Sequence, residues 1–152
     1  RGLGDVYKRQ KYKVATLMKK QKKTAQYLMK YVDFDLHIRP RSKARPRSFM
    51  GQARPYMDKA YMQWKKDLWS MASEYWTEEP IDHCHKFEVV FYTAARGDID
   101  NLLGGLFDAL TSSKDTERLF TDDNVKVISE VHCYWKHEPK VDKAHVWFRV
   151  YY

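Results

Sequence analysis

The sequence predicts a single α+β domain: a mixed β-sheet with two helices, in the order β-α-β-α-β-β. Three observations lead there. Four short stretches alternate apolar and polar residues with period two. Two longer stretches repeat apolar residues at spacings of three and four. The chain of 152 residues is one domain's length, and 43% hydrophobic and 15% aromatic residues exclude wholesale disorder.

Each element has its own signature. Val32, Phe34, Leu36 and Ile38 alternate with Tyr31, Asp33, Asp35 and His37, which predicts a first strand ended by Pro40. Residues 39–55 carry Arg39, Arg41, Lys43, Arg45, Arg47 and Arg54 with no acid. Prolines at 40, 46 and 55 exclude a helix there, leaving an extended basic loop. Tyr61, Trp64, Leu68, Ala72 and Tyr75 predict a helix over 57–76, followed by the punctuation of Glu78, Glu79 and Pro80. Phe87, Val89 and Phe91 predict a second strand over 86–93. Leu102, Leu103, Leu106, Phe107 and Leu110 predict a second helix over 101–112, with Asp100 as its N-cap. After a polar connection, Val125, Val127, Val131, Cys133 and Trp135 predict a third strand over 125–136. Ala144, Val146, Phe148 and Val150 predict a fourth over 144–151.

Residues 1–10, RGLGDVYKRQ, resemble a transposon-based sequencing adapter translated in frame, so they are expected to be an assembly artefact and are left out of fold reasoning. Residues 11–29 are then a basic tail or upstream read-through, with Met18 and Met29 as candidate starts, and the domain is expected over 30–152. The net charge of +8 belongs to this N-terminus: residues 30–152 hold 19 basic and 19 acidic residues. Overall charge therefore says little about what the domain binds. No apolar run approaches the ~20 residues needed to span a bilayer. Cys84 and Cys133 are too few for a disulfide framework, so a reducing, cytoplasmic setting is expected.

The chemistry-bearing pattern is acidic. Asp98 and Asp100 flank Ile99 at a strand-to-helix junction, where an extended backbone would point both carboxylates to one side. Asp122 and Asp123 precede the third strand, and the sheet is expected to gather the two pairs at one end. Clustered carboxylates repel, and a hard divalent cation relieves that through all-oxygen ligation. Such a site polarises a phosphate and activates water. Asn101 and Asp108 are seven apart on the second helix, with Gly104 between them on the same face. Spacing alone equally allows the bland use of these acids as a helix cap and a turn.

GDIDNLLGGLFDAL, followed by LFTDDNV and a strand, resembles the RusA family of Holliday junction resolvases. The strand, KARPR and helix of residues 30–76 are similar to the family's N-terminal half. The resemblance implies a homodimeric, Mg²⁺-dependent endonuclease (Mn²⁺ also serving) that nicks four-way DNA junctions in recombination and repair, often phage- or prophage-borne. It needs no small-molecule cofactor and no membrane. On this resemblance Asp98, Asp100 and Asp123 match the metal-binding aspartates, with Asn101, Asp108 and Asp122 in supporting positions. One departure stands out: Gly104 occupies the place of the family's lysine. Lys126 and Arg96 are the candidates to replace that cation; otherwise the chain is a catalytically impaired module that binds branched DNA. The Gly104-Gly105 pair is also expected to weaken the helix by ~1 kcal/mol per glycine. The basic loop would contact phosphates, through Arg39, Arg41, Lys43, Arg45, Arg47 and Arg54, which positions DNA without reading sequence. His83, Cys84, His85, His132 and Cys133 make a poor zinc pattern, because adjacent strand residues point oppositely. Trp64, Trp69 and Trp76 read as core on the helix; Trp135 and Trp147 read as core or dimer interface.

Overall fold

Three of the four alternating stretches become strands whose apolar side faces two helices, and the last part of the other forms an edge strand. A computed structural model describes residues 29–44, 57–94 and 97–152. The adapter-like and basic N-terminal residues 1–28, the loop residues 45–56, and residues 95–96 lie outside that description. The strands are β1 (Tyr31–Leu36), β2 (Lys86–Tyr92), β3 (Val131–Lys136) and β4 (His145–Tyr151). The helices are α1 (Lys59–Ala72) and α2 (Ile99–Leu110), and a 3-10 turn covers Val141–Lys143. The order β-α-β-α-β-β in a mixed sheet is the predicted one. Spatially the strands run β1-β4-β2-β3. β4 is antiparallel to both its neighbours, and β3 is parallel to β2.

The register lines up the core. Phe34 lies opposite Phe148, and Phe148 opposite Val89. The Phe34 and Phe148 rings stack at 4.4 Å. Phe34, Leu36, Phe87, Val89, Phe91, Val146, Phe148 and Val150 are all buried on this face. Tyr61, Trp64, Leu68 and Ala72 of α1 and Leu102, Leu106 and Leu110 of α2 cover it. Phe87 is the hub, with ring centroids 5.1 Å from Phe107, 5.9 Å from Phe120 and 5.5 Å from Phe148. Burial of each such side chain contributes about 1.5–3 kcal/mol. The other face stays wet and is laced with ion pairs. Arg149 grips Asp33 with two bonds of 2.6 and 2.7 Å, and Lys86 meets Glu88 at 2.9 Å. No helix among the described residues is long and apolar enough to cross a membrane.

Three elements differ from the sequence reading in ways that matter for the site. The third strand starts at Val131 rather than 125. Asn124 is the reason: its side chain accepts the Lys126 N–H, and its carbonyl accepts from Val127 and Ile128. A side chain that bonds its own backbone competes with a strand. Val127 and Ile128 are buried side by side, which breaks the period of two, and Val125 is 86% exposed. β3 is a sheet edge, and Trp135 there is exposed rather than core. α1 ends at Ala72 because Glu74 and Tyr75 close their bonds over three residues, onto Met71 and Ala72. α2 starts at Ile99, so its N-cap is Asp98 and Asp100 sits in the first turn.

Candidate active site

α2 begins just beyond the end of β2, and the acids of its first turn stand in solvent. Asp98 is the N-cap residue, with φ −72° and ψ 137°. Its carbonyl accepts from Asn101 and Leu102 and so starts the helix. Its carboxylate makes no capping bond to the backbone. That carboxylate takes only a long 3.3 Å bond from the Asn101 side-chain amide among the described residues. Asp98, Asp100 and nearby Gly97 are all exposed. Because residues 99 and 100 are already helical, the two carboxylates share the rim of a helix N-terminus and not one side of an extended strand. The positive end of the helix favours anions at both positions.

Asp122 and Asp123 are not there. β2 and β3 are parallel, Phe87 pairing with Val131 and Tyr92 with Lys136. α2 must therefore carry the chain back along the sheet, and its 12 residues cover about 18 Å. At its far end Leu110 accepts from Phe120, and residues 119–129 run beside Ile81 and Cys84, ahead of the start of β2. The expected gathering of both acidic pairs at one end is thus corrected. The segment leaving one parallel strand and the segment entering its neighbour lie at opposite ends of the sheet. Among the described residues no three His, Cys, Asp or Glu side chains stand close enough to hold a metal ion. The two acids of the far turn also differ. Asp122 is engaged locally, accepting from the Asp123 N–H at 2.7 Å and the Asn124 amide at 2.6 Å. No bond from the described residues engages the Asp123 carboxylate, and Asp123 is exposed beside Lys126 in the same turn.

The described start of the basic loop, residues 39–44, docks against α2. The Lys43 N–H donates to the Asn101 carbonyl at 2.8 Å. The Trp64 indole donates to the Arg39 carbonyl at 3.0 Å and holds the loop's root. Arg39, Arg41 and Lys43 are exposed, and Arg39 and Arg41 line an open cleft of about 520 Å³. Arg45, Arg47, Arg54 and Arg96 lie outside the described residues. Asp108 is an anchor for this loop. It accepts from the Lys43 ammonium at 2.9 Å and from the Tyr61 phenol at 2.9 Å. Burial first, then the Asp108 charge, pushes the Tyr61 phenol well above its ordinary range, so it stays a donor. Burial also lowers Lys65; the Asp108 charge opposes that fall, and the Arg118 and Lys43 charges add to it. Arg118 donates to the Asp108 and Ala109 carbonyls, a cation closing the C-terminal end of α2.

Sequence reading missed Tyr61 and Arg118 as partners of this region. The apolar spacing of α1 marked Tyr61 as core, yet a buried phenol needs a partner, and that was the available signal. The zinc pattern does not converge. Cys84 is buried while His83 and His85 are exposed and meet edge to face, with ring centroids 4.5 Å apart. Burial lifts the Cys84 thiol to about 12 and Cys133 to about 11, which keeps both protonated. Trp64 and Trp76 are core, and Trp69 packs against it.

No curated protein matches the chain. The family model described as Endodeoxyribonuclease RusA matches residues 37–142, a span that runs from the end of β1 through the basic loop, both helices and the acidic turn to the 3-10 turn before β4. A structure that holds acids at an uncapped helix start, beside a docked basic loop, agrees with that match, and the chain belongs to the RusA family of endodeoxyribonucleases, enzymes that resolve Holliday junctions.

Proposed function

We propose that this chain is a homodimeric, Mg²⁺-dependent resolvase of four-way DNA junctions. The observation that carries the reading is the helix start of α2, where Asp98 occupies the N-cap position without capping and Asp100 follows it in solvent. An acid used only for structure would close onto the backbone. The oxygen-only donors of Asp98 and Asp100 suit a hard cation such as Mg²⁺, with Mn²⁺ as its substitute. One chain supplies only this half. A two-fold dimer that sets the start of α2 against Asp123 of the partner subunit would complete the set twice over. Two sites related by a two-fold axis also suit the approximate two-fold symmetry of a four-way junction.

In this reading Asp98, Asp100 and the partner's Asp123 hold the ion, which when bound supplies Lewis acidity at the scissile phosphate. Asn101 orients Asp98 through the bond between their side chains. Asp122 shapes the far turn so that Asp123 projects from it. Arg39, Arg41 and Lys43 hold the DNA backbone, and Arg45, Arg47 and Arg54 extend the same basic stretch. The work belongs to recombination and repair in a bacterial cytoplasm, on a phage- or prophage-borne gene, a setting that the family resemblance supports.

The test is nicking of an end-labelled synthetic four-way junction, with Mg²⁺ or Mn²⁺ against EDTA and a linear duplex as control. Metal-dependent paired nicks in the junction alone are expected. Binding without nicking at any metal concentration would instead identify an impaired junction-binding module, and loss of both would overturn the reading.

A further inference from the structure

α2 carries the acids but no cation: from Ile99 to Leu110 it has neither Lys nor Arg. Yet cleavage of a phosphodiester builds negative charge on the phosphate oxygens, and a cation beside them stabilises it. The structure brings one from outside the helix. The Lys43 backbone is tied to Asn101, in the first turn. Its stem then crosses the helix at Gly104, where an added Cβ would stand 3.3 Å from the Lys43 Cδ and 3.7 Å from its Cβ. At the next residue the loop backbone itself presses in: a Cβ on Gly105 would meet the Arg41 carbonyl oxygen at 2.4 Å. Only glycine permits that approach. The helix therefore has two adjacent bare positions, and the basic loop lies in them.

The geometry points to Lys43 as the phosphate-binding cation of this active site, with Gly104 and Gly105 as its seat and Asp108 as the counter-ion that holds it between encounters with DNA. This rests on the endonuclease reading above. The Lys43 side chain is half exposed, 51%, against 18% for Asp108, so its ammonium faces arriving phosphates while Asp108 stays behind it. An ammonium on a flexible stem changes partners easily, and an exposed ion pair is weak enough to give way. From its root at Asn101 it can leave Asp108 and swing along the helix toward the first turn, where Asp98 and Asp100 stand. Gly104 is then an exchange of one lysine position for another.

A charge relocation tests this in the full-length protein. Wild type, Lys43→Ala and the double variant Lys43→Ala/Gly104→Lys are compared by single-turnover nicking of the four-way junction with Mg²⁺. Junction binding is followed over a range of salt, and thermal melting confirms that each protein is folded. Lys43→Ala is expected to nick roughly 100-fold more slowly, the low end of the loss for one charge-stabilising donor, as suits a cation that moves in with the phosphate. Its salt slope should fall by about 0.9, the loss of one phosphate contact. The double variant, with its cation rooted in the helix where the Lys43 stem had lain, should regain at least ten-fold of the rate. Nicking by Lys43→Ala within two-fold of wild type overturns the inference and leaves the endonuclease reading intact, as does a slow single variant that Gly104→Lys fails to rescue. A wild type that neither binds nor nicks the junction overturns both.

Discussion

The two helices of this domain both begin at an aspartate, and they use it in opposite ways. At α1, Asp58 closes the helix: its carboxylate accepts the Tyr61 N–H at 2.9 Å. At α2, Asp98 takes the same N-cap position and leaves the backbone donors without its carboxylate. A second acid, Asp100, follows in the first turn of α2, whereas the first turn of α1 has none. The sequence motif is the same, an acid ahead of an apolar helix, and the physical roles differ. A capping carboxylate is already satisfied and has little left to offer a ligand. Two uncapped ones keep their lone pairs open to a ligand, and in the proposed function that ligand is a hard divalent cation.

That contrast can be broken by exchange of each acid in turn. The largest effect is expected at α2: Asp98→Asn or Asp100→Asn should lower junction nicking by roughly 10³-fold or more, the several kcal/mol that a lost metal centre removes. Neither these variants nor Asp98→Ala should change the unfolding free energy in urea by more than about 0.5 kcal/mol, since no buried contact or backbone cap is lost. The reverse is expected at α1. Asp58→Ala should cost about 1 kcal/mol of stability in urea unfolding and leave the nicking rate of the folded protein unchanged. If Asp98→Ala instead destabilised as much as Asp58→Ala, the acid at α2 would be an ordinary cap.

What was legible in the sequence divides along the same physical line, local against non-local. β1, β2, β4 and the two helices were readable because each is written in the spacing of its own apolar residues. The acidic and basic residues of the candidate site were readable as types, because they stand in short local runs. β3 was overextended because Asn124, by bonding its own backbone, interrupts an alternation that the apolar residues alone would continue. The strand order β1-β4-β2-β3 pairs residues more than a hundred apart, Asp33 with Arg149 among them, and no local spacing encodes that. Gly104-Gly105 read as a weak point in a helix. It is a seat, because the loop that fills it comes from more than sixty residues away. The separation of Asp98 and Asp100 from Asp123 was the one non-local fact within reach. A long helical crossover between neighbouring strands makes them parallel, and parallel strands put those acids at opposite ends.

That separation is the point on which the proposed function stands: if it holds, the acids of one chain make half a site, and two chains make two whole ones. Subunit mixing tests it directly. Asp100→Asn and Asp123→Asn proteins are assayed alone and after mixing, with the labelled four-way junction and Mg²⁺. Each alone should be inactive. In a mixed dimer one site carries both lesions and the other carries neither, so the mixture should regain cutting, as single rather than paired nicks. A mixture as inactive as its components, with mixed dimers present, would contradict the shared site, and so would full activity of Asp123→Asn on its own.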